Sequence, residues 1–144
     1  MQRDPTFQGA VGIYKDLALD ERGWHWVDYG SYYHVNGVGF THIPFNPSNG
    51  KPISGVDICR KASMVVGGSV VFGHTHQLNY SQFNRVGQDT QRVLSAGCFF
   101  DHKPHYVNAS EPPWWTGVLM LYIEEDSSYR LTTYPLDYLK EYHG

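Results

Sequence analysis

The chain is poor in the features that place many proteins at once. It has two cysteines, Cys59 and Cys98, far apart in 144 residues. Two such thiols make neither a disulfide framework nor a cysteine-based zinc module, so both are expected reduced. No run approaches the roughly 20 apolar residues that a membrane span requires. Met1-Gln2-Arg3-Asp4-Pro5 has no apolar signal core, and the expectation is a soluble, cytoplasmic protein. Positive charge is scarce: 11 Lys and Arg stand against 14 Asp and Glu, for a formal net charge of −3. A protein that grips a nucleic-acid backbone unaided clusters its cations, so the charge balance argues against that class. A nucleic-acid substrate is not excluded, because bound divalent ions supply positive charge at the chemistry itself. There is no internal repeat, low-complexity tract or clear linker, and the length suits one domain or part of one, spanning 1–144.

What is present is an apolar, aromatic-rich sequence with short periodic segments. Residues 10–19 pattern as a helix through Val11, Tyr14, Leu17 and Leu19, ended by Gly23. The alternation over 24–29 suits an edge strand or a packed loop. Residues 32–41 read as one or two strands, and 44–50 as a loop. A helix is expected over 56–66, with Val56, Cys59, Ala62 or Ser63, and Val66 on its inner side and Gly67-Gly68 closing it. A short buried strand comes next, over 69–72. Further strands fall near 79–85, 91–96, 116–124 and 129–134, with Asp126-Ser127-Ser128 as the last hairpin turn and a closing helix over 136–142. The pattern is α/β, with a mixed sheet that becomes β-rich toward the C-terminus.

The most informative run is Val70-Val71-Phe72-Gly73-His74-Thr75-His76. A strand sends alternate residues to one side, so His74 and His76 are expected to face one small volume, with Gly73 removing a Cβ that would crowd the strand end. Open α/β sheets carry their sites at the carboxyl ends of strands, and neutral imidazole is the commonest metal ligand near neutral pH. His42 ends a second strand, Val38-Gly39-Phe40-Thr41. Two adjacent parallel strands would bring the three rings together. The plainer alternative is a set of surface histidines with hydrogen-bonding roles. His34 reads as structural, His25 between Trp24 and Trp26 as packing, and His143 as a frayed tail. His102 and His105 occupy the loop after Cys98, where they are either solvated or in contact with substrate at the site's rim. Asn79 and Tyr80 either line the pocket or close a loop. Trp114-Trp115 reads as core or interface rather than as a base-stacking platform.

Several segments in order resemble the calcineurin-like metallophosphoesterase family, over most of the chain from about Gly9 onward. Gly73-His74-Thr75-His76 matches that family's last metal motif. Gly39-Phe40-Thr41-His42-Ile43-Pro44 is similar to its earlier single-histidine motif. Leu94-Ser95-Ala96-Gly97-Cys98 and Trp114-Trp115-Thr116-Gly117-Val118 resemble its next strand and closing hairpin. The resemblance implies the C-terminal half of a metallophosphoesterase-type αββα sandwich. It implies a two-metal centre in which His42 and His74 share one ion and His76 holds the other, with manganese favoured and iron, zinc, nickel or magnesium as alternatives. The implied reaction is metal-assisted hydrolysis of a phosphomonoester or phosphodiester, a nucleotide or nucleic-acid end among the candidates. By their positions in the chain, Asn79, His102 and His105 are the candidate substrate contacts.

The family's first three motifs, Asp-x-His, Gly-Asp and Gly-Asn-His, are missing. Three neutral imidazoles cannot balance two divalent ions, and the sheet edge where the missing half would pair is expected to lie open. The chain is therefore expected to need a partner polypeptide carrying the earlier motifs, or a homo-oligomer mate. The opposing reading is a non-catalytic scaffold derived from the fold. A third is a single structural metal at a homo-oligomer interface.

Overall fold

The computed structural model describes residues 17–84, 86–87, 89–101 and 114–144. Its centre is a mixed five-stranded sheet in the order β1-β2-β3-β5-β4. The strands are β1 (Tyr33–Val35), β2 (Val38–Thr41), β3 (Val70–Phe72), β4 (Leu78–Phe83) and β5 (Gln91–Ala96). β2, β3 and β5 run parallel, while β1 and β4 pair antiparallel at the two edges. A second sheet is the hairpin β6 (Gly117–Ile123) and β7 (Tyr129–Pro135). Helix α1 (Ile58–Val65) precedes β3, and α2 (Leu136–His143) ends the chain.

Period-two alternation divides the core between the two sheet faces. Val70, Phe72 and Val93 point toward α1 and pack with Ile53, Ile58, Cys59 and Ala62. Val38, Val71 and Leu94 point the other way and meet Leu119, Leu121, Ile123, Tyr129 and Leu131 of the hairpin. Strands buried on both faces read as continuous apolar runs, which is the appearance of Val70-Val71-Phe72. Both cysteines are free. Cys59 is buried under the sheet, and burial pushes its thiol pKa up to about 12.

Turn chemistry fixes the registers. Asn36 and Gly37, at φ 43° and 78°, join β1 to β2 as a two-residue turn, with Val35 opposite Val38. Positive φ at both central residues is what lets such a turn follow the strands' own twist. In the β6–β7 turn, the Ser128 amide donates to Asp126 Oδ1 at 2.9 Å and the Glu124 amide to the Ser128 carbonyl at 2.8 Å.

Three expectations change. Helix α1 begins at Ile58, and Val56 is 94% exposed; the inner face is instead Ile58, Cys59, Ala62 and Ser63. Residues 24–29 form no strand, Trp24, Trp26 and Tyr29 are exposed, and so is His25, which does not pack. Leu17 to Leu19 lie in turns, and the rest of the expected 10–19 helix falls outside the described residues. The edge strands of the sheet are the three-residue, exposed β1, which covers β2, and β4 on the other side.

The hairpin is tied to the main sheet at Cys98. The Cys98 amide donates to the Trp115 carbonyl at 3.0 Å and the Gly117 amide to the Cys98 carbonyl at 3.0 Å. This close passage requires Gly97, which sits at φ 70° with Trp115 against it. A Cβ there would lie 2.7 Å from the Trp115 carbonyl oxygen. Gly97→Ala is expected to cost about 2 kcal/mol or more, from left-handed strain and displaced backbone together. The measurement is the urea midpoint, which should fall with an unchanged m value; an unshifted midpoint would mean that strand and hairpin do not pass so closely.

Candidate metal centre

The parallel register sets the site. Thr41 lies opposite Phe72, so His42 and Gly73 leave their strands side by side, and the Gly73 amide donates to the His42 carbonyl at 3.2 Å. β3 stops at Phe72. The chain then enters a tight turn, with the Thr75 amide donating to the Gly73 carbonyl at 2.7 Å. The Thr75 and Ser95 hydroxyls share a hydrogen bond at 2.7 Å, which pins the turn to β5. The Trp115 amide donates to the His76 carbonyl at 2.9 Å and pins its far end to the hairpin.

His74 and His76 both adopt left-handed backbone, at φ 63° and 58°. A non-glycine residue there costs about 1 kcal/mol or more, and such residues gather at functional sites. The strand alternation expected for these two histidines therefore does not operate, since they lie beyond the strand. Gly73 is not needed for space either: a Cβ on it would find its nearest neighbour, the His42 carbonyl oxygen, at 4.0 Å.

The turn sends the two rings to different neighbours. His74 Nδ1 lies 3.0 Å from His42 Nε2, with ring centroids 4.9 Å apart at 79°. Both residues are exposed. His76 is half-buried against aromatics, edge-on to Trp114 at 4.7 Å and to Phe100 at 5.2 Å. Burial lowers its pKa below the ordinary 6.5, and the neighbouring His74 and His42 lower it further. On the other side, Tyr29 packs against His42 at 5.9 Å and T-shaped on Phe45 at 5.7 Å.

Of the expected substrate contacts, Asn79 lies inside β4 opposite Ser95, and its carbonyl accepts from Cys59 Sγ at 3.2 Å. Its neighbour Leu78 packs on the hairpin side, so alternation turns Asn79 toward α1. His102 and His105 lie outside the described residues. Tyr29, Phe100 and the contact of Trp114 with His76 carried no sequence signal as site features. Phe100 and Trp114 are brought in by the bridge between Cys98 and Thr116, and Tyr29 by a turn packed on Phe45.

The site is thus a hydrogen-bonded pair of imidazoles with a third, aromatic-walled imidazole beside them. Among the described residues no group of three or more His, Cys, Asp and Glu side chains is placed to hold a metal ion, and no helix is long and apolar enough to cross a membrane. No family model, curated protein or solved structure matches the chain.

Two outcomes test this geometry. Since the folded His76 holds its proton less well than the unfolded chain, it contributes nothing to pH dependence well above 6.5. As pH falls below that value the unfolded state protonates first, and stability is lost. The His76 imidazole resonance in an NMR titration should therefore show a midpoint below 6.5; a midpoint above it would remove the aromatic burial from the account. Gly73→Ala should shift stability by less than about 1 kcal/mol in thermal unfolding, whereas a large loss would restore the crowding expected from the sequence.

Proposed function

We propose that this chain is the C-terminal portion of a metal-dependent phosphoesterase of the calcineurin-like kind. Its reaction is hydrolysis of a phosphomonoester or phosphodiester. The observation that carries the reading is the 3.0 Å between His42 Nε2 and His74 Nδ1, at the carboxyl ends of adjacent parallel strands. In the octahedral geometry that manganese adopts, two neighbouring nitrogens each about 2.1 Å from the ion stand about 3.0 Å apart. These two residues thus fit a shared ion, and His76 is the ligand for a second. Mixed nitrogen and oxygen ligation favours manganese, with iron, zinc, nickel or magnesium able to substitute. When bound, such ions supply charge neutralisation at the phosphate oxygens and activation of the attacking water.

The chain's own residues prepare the ligands. His42 and His74 present facing ring nitrogens from a strand end and a pinned turn. Trp114 and Phe100 hold His76 deprotonated at neutral pH, so that its lone pair is free. The order of layers supports the sandwich reading: α1, the five-stranded sheet, the hairpin, then α2, whose Tyr138 packs on Tyr134 of β7. Charge balance demands carboxylates from beyond this set, so a partner polypeptide or a second copy completes the centre. The non-catalytic scaffold is kept as a second reading because no three-ligand group occurs among the described residues.

Native mass spectrometry of the protein isolated from its source without chelator tests the assembly. A complex with a second polypeptide and two metal ions is expected, and a metal-free monomer would favour the scaffold. In calorimetric titration with manganese, His74→Ala should weaken binding at least tenfold and abolish phosphodiester hydrolysis by the assembled enzyme. Full binding and activity in that variant would overturn the assignment.

A further inference from the structure

Beside the imidazoles stands an aromatic ring that the metal chemistry does not use. Tyr29 is 66% exposed and stands in a defined turn. The Ser31 amide donates to the Asp28 carbonyl at 3.0 Å, which makes 28–31 a turn with Tyr29 at its first corner and Gly30 at its second. Gly30 has φ 89°, as a type II turn requires at that corner. A Cβ on Gly30 would meet the Phe45 ring at 3.6 Å, so the turn lies on that ring. The Tyr29 ring stands edge-on to Phe45 and tilted on His42. A large aromatic side chain is thus displayed to solvent in a preset orientation, in contact with a candidate metal ligand. Trp24 and Trp26, 67% and 49% exposed, precede it on the same segment.

An exposed ring supported by neighbouring rings offers its face to a planar ligand group, and every nucleobase has such a face. Resting on the phosphoesterase reading, we propose that the site takes nucleotides. The phosphate lies at the imidazoles, and the base stacks on Tyr29. Trp114 serves a different end, since its ring is engaged by His76 and Phe100. The net charge of −3 fits a mononucleotide better than a polyanionic strand, whose backbone needs clustered cations.

The test is calorimetric titration of the source-isolated protein, in manganese, with adenosine 5′-monophosphate and with ribose 5-phosphate. The two carry the same phosphate and sugar and differ in the base. The nucleotide is expected to bind about tenfold more tightly. Tyr29→Phe keeps that preference. Tyr29→Ala erases it, bringing the nucleotide's affinity down to that of ribose 5-phosphate while ribose 5-phosphate still binds, a pattern that loss of folding would not produce. Equal affinities in the unaltered protein, or a preference that survives Tyr29→Ala, would overturn the stacking role and leave the phosphate site standing. Binding of neither ligand would overturn the phosphate site and the proposal together.

Discussion

The rest of the structure depends on three short parallel strands buried on both faces. β2, β3 and β5 pair in register, Thr41 beside Phe72 beside Ser95, and their side chains alternate between a helix on one side and a hairpin on the other. Double burial leaves little latitude, because a slip of one residue would exchange every side chain between two different cores. With the register fixed, the residues next after the three strands emerge at one level. His42, the turn carrying His74 and His76, and the passage through Gly97 and Cys98 are neighbours for that reason. The site is a consequence of strand alignment before it is a consequence of any ligand.

The histidine turn is held by its surroundings. Two alternate positions in left-handed backbone are not a conformation that His-Thr-His adopts alone. Each end is anchored: Gly73 to His42, Thr75 to Ser95, and the His76 carbonyl to Trp115. Those anchors come from β2, β5 and the hairpin, so three separate parts of the chain must assemble before the rings stand where they do. The same anchors turn His74 toward His42 and His76 into its aromatic wall, so that one imidazole pair is exposed and the third is partly dry.

Local pattern made most of the architecture legible. The apolar run 70–72, the glycines after α1, the Asp126-Ser127-Ser128 turn and the alternation over 117–123 each carry their information within a few residues, and the corresponding elements stand close to where that information puts them. Adjacency of His42 to His74 was legible as well, because a helix between two strands makes them parallel neighbours. What was not legible arises at longer range. Strand alternation extends only as far as the ladder, and nothing local in Phe-Gly-His-Thr-His says that pairing ends at Phe72. Val56 looked like an inner residue because apolar spacing continued through it, but Gly55 at φ 117° places it outside the helix. The aromatic walls of the site depend on the hairpin's return past Cys98, which no periodicity encodes.

That return has a structural corollary. His76 is hydrogen-bonded through its carbonyl to Trp115 and packed through its ring on Trp114, two neighbours that lie just ahead of β6. Backbone and ring of one imidazole are thus held by a single short stretch of chain, the same stretch that leads the hairpin away from Cys98. A substitution that moved Trp114 and Trp115 would disturb the hairpin's seating and the orientation of His76 together.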